Sequence, residues 1–195
     1  MLKVKVSNGN HKIGKDTLII NMNSATDCPS YKLGLCQVER KQCYALKAER
    51  QYPSCLPYRK EQTIIWENNS AVDIANAIIK IAKNKRKNII KYVRFNEAGD
   101  FKGQADIVKM SKIADILKDI AIKGNIIKVY GYTARKDLNF SNISDNMVVN
   151  GSNFMIHNNF VVVKQPISKI ICKGNCRICN LCKVRTGKII EVKLH

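Results

Sequence analysis

Acidic side chains are scarce in this chain. Asp and Glu number 15 against 34 Lys and Arg, which leaves a formal charge of +19. Such a surplus marks a surface for polyanions: nucleic acid, anionic lipid or phosphorylated molecules. A compositional bias toward Lys, Ile and Asn accounts for it equally well. Long apolar runs are missing too. No stretch approaches the roughly 20 apolar residues that span a bilayer, so no membrane is expected. The opening MLKVKVSNGNHKIGK has no apolar core of a secretory signal. A cytoplasmic location is therefore expected, where thiols stay reduced and disulfides are disfavoured. No internal repeat, low-complexity tract or Pro/Gly-rich linker breaks the chain, and 45% of it is apolar, enough for a core. Residues 1–195 are read as a single α/β domain.

Cysteine is absent from 56–171, and this gap makes the eight cysteines at its two sides conspicuous. Cys28, Cys36, Cys43 and Cys55 form an early loop, 28–55. Cys172, Cys176, Cys179 and Cys182 form a late loop, 172–182, with the spacing C-x3-C-x2-C-x2-C. Four thiolates so close together can surround one metal centre. Structural zinc with four cysteines usually draws them from two separated C-x2-C knuckles. One continuous run resembles the ligand loops of [4Fe–4S] clusters, so iron–sulfur is the first expectation and zinc the alternative. The early spacing is looser. Any one of its cysteines can be a buried thiol, but four within 28 residues argue for ligands.

Between the two groups the periodicity alternates. TLIINMN (17–23) reads as a strand, and YALKAERQY and EQTIIWENN read as helices. Ser70 and Asp73 suit a capping box, after which Val72, Ala75, Ile78/Ile79 and Ala82 recur at helical spacing. NIIKYVRFN (88–96) and NIIKVYGYT (125–133) read as strands buried on both faces, the parallel-sheet signature. Ile107, Met110, Ile113, Leu117 and Ile120 mark a helix over 104–122 between them. MVVNG, NFVVVKQP and KIIEVKLH read as later strands. Alternating strands and helices predict parallel pairing with right-handed crossovers. The chain is too short for a full eight-unit barrel of about 250 residues, so an open, partial parallel barrel or a small doubly wound sheet is expected.

Ligand sites in such folds gather at the C-terminal ends of strands. RFNEAGDF places Arg94, Asn96, Glu97, Gly99 and Asp100 at one such end. Glu97 and Asp100, with Arg94, are candidate catalytic or ligand-positioning groups. Asp100 can equally cap the helix that follows. YGYTAR ends the next strand, with Tyr130 and Tyr132 on one face and Thr133 and Arg135 following. Tyr132, Thr133 and Arg135 are candidates for a nucleotide or base, with Asn96 and Gly99. A buried Tyr and a solvated Arg are the plainer alternative. His157 and His195 are left out of the ligand set, since a lone His is more often structural. KIAKNKRKNIIK (80–91) holds six basic residues and no acidic one, and further cations bracket the late cysteines.

CP, a second Cys, CYA, RFNEAGDF, YGYTAR, the late cysteine run and the terminal VKLH follow one another in an order that resembles the bacteriophage proteins catalogued as gene product eighty-eight. The resemblance covers residues 28–195. It implies a phage-encoded protein working in the host cytoplasm. The layout also resembles a shrunken radical-SAM protein. That superfamily binds a [4Fe–4S] cluster through three cysteines after its first strand and holds S-adenosylmethionine with a Gly-Gly-Glu-like segment after its second. TLIINMN with Cys28, Cys36, Cys43 and Tyr44, and then NEAGD, stand in those places. The loop here is C-x7-C-x6-C rather than C-x3-C-x2-C, and a fourth thiolate from Cys55 would close the cluster.

The function expected is a phage-type iron–sulfur protein. It would carry one or two [4Fe–4S] clusters and a radical-SAM-like core that binds a small molecule or nucleotide, with S-adenosylmethionine as a possible cofactor and no assigned reaction. A basic nucleic-acid-binding accessory protein with structural iron–sulfur or zinc sites is the second expectation, and an electron-transfer protein the third.

Overall fold

Parallel neighbours cannot be joined by a tight turn, so each pair needs a connection that returns the chain to its starting end. That requirement organises the computed structural model, which describes residues 3–193. A short strand β1 (Ser7–Asn8) leads to β2 (Thr17–Ile20). The long return to β3 carries α1 (Pro29–Lys32), α2 (Tyr44–Gln51), α3 (Cys55–Asn68) and α4 (Ala71–Asn84). After β3 (Tyr92–Phe95) come α5 (Gln104–Lys118), the strands β4 (Ala121–Ile122) and β5 (Asn125–Ile126) of a small hairpin, and β6 (Lys128–Thr133). The last three strands are β7 (Met147–Ser152), β8 (Asn158–Val163) and β9 (Ile189–Lys193).

Seven strands form one sheet in the order β1-β2-β3-β6-β7-β8-β9. Only β1 pairs antiparallel; every later pair is parallel. The order never reverses, which is the winding of a barrel and not of a doubly wound sheet. The outer strands β1 and β9 do not pair with each other, so no barrel closes. The molecule is a mixed α/β protein with a mostly parallel, open sheet.

The two faces differ. The apolar residues of α4 and α5 pack with Leu18, Ile20, Val93, Phe95, Val129, Met147 and Val149 into the main core. Ser70 begins α4 as expected: its hydroxyl accepts from the Asp73 N–H, and the Asp73 carboxylate accepts from the Ser70 N–H. The buried stripe is Ala71, Ile74, Ala75, Ile78, Ile79 and Ala82, with Val72 exposed. The opposite, inner face carries Tyr92, Tyr130, Tyr132, Val148, Phe160, Ile190 and Val192, covered by Cys172, Leu181 and Cys182 of the late loop.

Some expectations need correction. β3 is buried fully on one face only; Val93 and Phe95 are buried, while Tyr92 and Arg94 are half-buried, because a cysteine loop and not a helix lies over the inner side. β6 starts at Lys128, not Asn125, because the positive φ of Lys123 and Gly124 folds 121–126 into the hairpin. α5 stops at Lys118. β2 stops at Ile20, since Asn21 and Asn23 leave the ladder to bind the loop after β3. β7 and β8 are parallel across only 153–157. β8 begins beside Asn150, the middle of β7, and runs past its end, so the chain steps back little. Asn153, at φ 66, makes that turn, and a Cβ on Gly151 would meet the Phe154 carbonyl at 2.1 Å. His195 lies outside the described residues.

The capping box sets the first expectation. Ser70→Ala should lower stability by about 1 kcal/mol, read as a shift of the urea midpoint at unchanged slope. No shift would mean that packing alone positions α4.

Candidate metal centre

The connection from β8 to β9, 164–188, has no helix. It lies on the inner face of the sheet, and its peptide groups need partners there. Two fully buried asparagines supply them. Asn150 Nδ2 donates to the Cys182 carbonyl at 3.0 Å. Asn158 Nδ2 donates to the Val184 carbonyl at 2.8 Å, and its Oδ1 accepts from the N–H and hydroxyl of Thr186 at 2.9 and 2.6 Å. The Cys172 N–H bonds the Glu191 carbonyl of β9 at 2.8 Å, and the Arg185 guanidinium bonds the carbonyls of Ser144 and Met147. So anchored, Cys172, Cys176, Cys179 and Cys182 line a single hollow of about 20 Å³ with Tyr132, Phe160 and Leu181. Tyr132 stands beside Cys182 at this hollow. Burial foremost, and then Cys176, push the Cys182 thiol up, against Tyr132, Arg94 and Lys183.

The early loop is held by a different device. The Glu49 carboxylate accepts from the N–H groups of Ala25 and Thr26 at 2.7 and 2.9 Å and pairs with Arg59 at 2.9 Å. Arg40 closes the same turn from the other side through the carbonyls of Ala25 and Thr26. Cys28 then stands at the start of α1 and Cys43 at the start of α2, and the N–H groups of Leu35 and Cys36 fold back to the Ser30 carbonyl. Burial pushes the Cys28 thiol up to about 12, with Asp100 and Cys36 adding to it. Cys36 is raised by burial, by Cys43 and by Asp100. Cys36 thus acts on Cys28, and Cys43 on Cys36. Cys55 opens α3.

Between the early and late loops lies the C-terminal rim of the sheet. Gly99 sits at φ +72 with its Cα against Asn23, where a Cβ would fall 1.9 Å from Oδ1. Asn23 accepts from the Asp100 N–H at 2.9 Å and donates to its carbonyl, and Asn21 accepts from the Ala98 N–H at 2.8 Å. The buried Asp100 carboxylate accepts from the Ser30 hydroxyl, from the Ala134 N–H at 2.8 Å and from the Phe101 N–H at 2.8 Å. Burial raises its pKa against these hydrogen bonds. Asp100 therefore ties the early loop to β3 and β6. Arg135 is likewise engaged, with Asp137 and with the carbonyls of Phe101 and Lys102, and the Thr133 hydroxyl accepts from the Arg135 N–H. Asp100, Thr133 and Arg135 are occupied within the protein.

Other rim residues keep free capacity. Arg94 reaches the Tyr44 hydroxyl at 3.4 Å and lies 5.2 Å from the Tyr132 ring centre, and its Nε has no partner. Asn96, at φ 56, uses Oδ1 on the Met22 N–H and leaves Nδ2 buried without one. Glu97 accepts from Asn10 at 3.0 Å. His157 is structural: Nδ1 accepts from the Val149 N–H at 3.0 Å, and burial and Arg185 press its pKa down to about 4. Asn21, Asn23, Asn150, Asn158 and Glu49 were not singled out in the sequence, and Lys183 stood there only as one of six cations bracketing the late cysteines, where they would offset the negative charge of a four-thiolate cluster. The usable signal was asparagine inside otherwise apolar strand runs.

As they stand, no three Cys, His, Asp or Glu side chains among the described residues converge closely enough to hold an ion. The donor chemistry of the late loop nonetheless fits a thiolate-bound metal, since its four cysteines line a common hollow. None of the helices among the described residues is long and apolar enough to cross a membrane. A family model described as Gene product 88 matches residues 3–166. The match reaches further toward the N-terminus than the expected 28–195 and ends before the late cysteines. Neither a curated protein nor a solved structure gives a match.

Two outcomes follow from the staples. Asp100→Asn would set an amide N–H against one of three converging donors, so it should cost about 1–3 kcal/mol in urea unfolding. A loss below half that would return Asp100 to the candidate catalytic groups. For Glu49, burial works to raise the pKa, but the hydrogen bonds of Ala25, Thr26 and Arg59 prevail and hold it below the usual range. A depressed folded-state pKa gives stability that is present above the unfolded value and lost as pH falls through the folded one. Glu49→Gln should therefore cost about 3 kcal/mol at pH 7 and flatten the parent's loss of stability below about pH 4. Parallel pH curves for the two proteins would refute this.

Proposed function

We propose that this chain, which belongs to the gene product 88 family, is an iron–sulfur protein with two cysteine-held centres on either side of a ligand-binding rim. The observation that carries the reading is the late run, whose four cysteines line one hollow on the inner face of the sheet. The early centre would be held by Cys28, Cys36 and Cys43. With three thiolates the cluster would keep a position open to a cofactor such as S-adenosylmethionine, as in the radical-SAM layout; a thiolate from Cys55 would close it. Such clusters supply one-electron chemistry when bound. Arg94, Asn96 and Glu97, with Tyr44 and Tyr132, would bind and orient a small molecule or nucleotide. The unpartnered donors Arg94 Nε and Asn96 Nδ2 suit an acceptor-rich group such as a carboxylate or phosphate.

One observation favours a second reading for the late hollow. Its volume of about 20 Å³ holds about one water-sized atom, which suits a single zinc ion better than a four-iron cube. The third reading, a nucleic-acid surface, is favoured by Lys83, Arg86, Lys87, Lys91, Lys118, Lys123 and Lys128. They stand exposed around the N-terminal edge of β3 and β6.

Anaerobic purification with iron, sulfide and zinc analysis decides among these. Two four-iron centres give about eight irons per chain. Cys179→Ser should remove about half of the metal and Cys55→Ser none, and S-adenosylmethionine should shift the electron paramagnetic resonance signal of the reduced early cluster. Zinc without iron would replace the iron–sulfur reading with the zinc one. A protein with neither, binding DNA or RNA in a steeply salt-dependent way, would support only the third.

A further inference from the structure

Lys183 follows directly on the last late cysteine and is 2% exposed. Its Nζ donates to the Cys176 carbonyl at 2.9 Å and lies 4.2 Å from the centre of the Tyr92 ring. Among the described residues no carboxylate pairs with it. Asp16, whose charge reaches Tyr92, forms no ion pair with it either. The other buried cations are treated differently: Arg59 has Glu49 and Arg135 has Asp137. Arg94 is half-buried and likewise has no carboxylate ion pair among the described residues; it contacts Tyr44 and Tyr132 and leaves Nε free.

A buried ammonium without an opposite charge is costly. Lys183 bonds the Cys176 carbonyl, and Arg94 lies over Tyr132, which lines the hollow with the four cysteines. Four neutral thiols offer these cations nothing. Four thiolates around a doubly charged ion leave about two net negative charges, opposite in sign to the two cations and equal in number. A [4Fe–4S] cluster with four thiolates is likewise anionic.

We infer that Lys183, with Arg94 beside Tyr132, is the buried counter-ion of an anionic metal–thiolate centre formed by Cys172, Cys176, Cys179 and Cys182. The inference rests on the late centre proposed above and adds a positioning charge to it. The hydrogen bond from Lys183 to Cys176 fixes the middle of the loop. In the absence of metal the same cation is a liability.

The full-length protein, loaded separately with zinc(II) and with iron and sulfide under anaerobic conditions, tests this. Release of late-centre metal to a chelator is timed for the parent, Lys183→Gln, Lys183→Met and Lys183→Arg. Gln keeps a donor for the Cys176 carbonyl without the charge. Lys183→Gln and Lys183→Met should release metal at least tenfold faster than the parent, and Lys183→Arg within a few-fold of it. In urea, metal-free Lys183→Gln should be no less stable than the metal-free parent. Gln retaining metal as the parent does overturns the inference, as does an equal loss of stability with and without metal, which would make Lys183 a packing strut. If the metal-free proteins do not fold, equal release from the Gln and Arg variants overturns it. A parent that takes up the same metal as Cys179→Ser has no late centre. The reading of the site then fails first, and the counter-ion with it.

Discussion

A polypeptide segment laid on a sheet face, away from water, must find a partner for nearly every peptide group it buries. The late cysteine loop is such a segment, and the rest of the inner face is arranged around it. Helices meet this demand internally, which is why α4 and α5 cover the opposite face with apolar side chains alone. The loop between β8 and β9 cannot. Asn150 and Asn158 occupy strand positions where Val or Ile would otherwise be expected, and they turn their amides to the loop's carbonyls. Each fully buried amide is expensive unless all of its capacity is used. Here Asn158 uses both ends. The cysteines are thus placed by the sheet, not by their own loop.

The early loop solves the same problem with charge. Glu49 gathers two N–H groups, a hydroxyl and Arg59. Asp100 gathers a hydroxyl and two N–H groups from three different segments. Carboxylates that accept this many donors act as rigid nodes. The result is a rim in which some polar residues are fully spent on structure while Arg94 and Asn96 are not, and that division separates scaffold from candidate ligand groups.

The alternation of strands and helices was legible because burial against helices leaves apolar repeats: Ile107, Met110 and Ile113 in α5, Val93 and Phe95 in β3, and the Ser70–Asp73 cap. The open edge was legible from chain length. What could not be read was the inner face. Tyr92 and Arg94 look like parts of a continuous apolar run, since nothing in a single sequence says that a distant loop and not a helix will lie over them. The spacing of the late cysteines suggests a common centre, but only the fold shows that Tyr132 and Phe160 line one hollow with them. Asp100 and Arg135 looked equally suited to chemistry and to structure, because their partners are backbone groups from remote segments, which leave no periodic trace. Lys183 was one of six cations bracketing the late cysteines, and nothing in the sequence set it apart as the buried one.

The strand order has a consequence in time. Each strand of the parallel sheet lies beside the strand made just before it, leaving aside the small hairpin. A chain emerging from the ribosome can therefore add β3 to β2, then β6, β7 and β8, without waiting for distant segments. The late loop and β9 follow every other strand of the sheet. The inner face, with Tyr130, Tyr132 and the two asparagines, stays open to water until they arrive, and a ribosome that stops short of residue 172 would release a sheet with that face still bare.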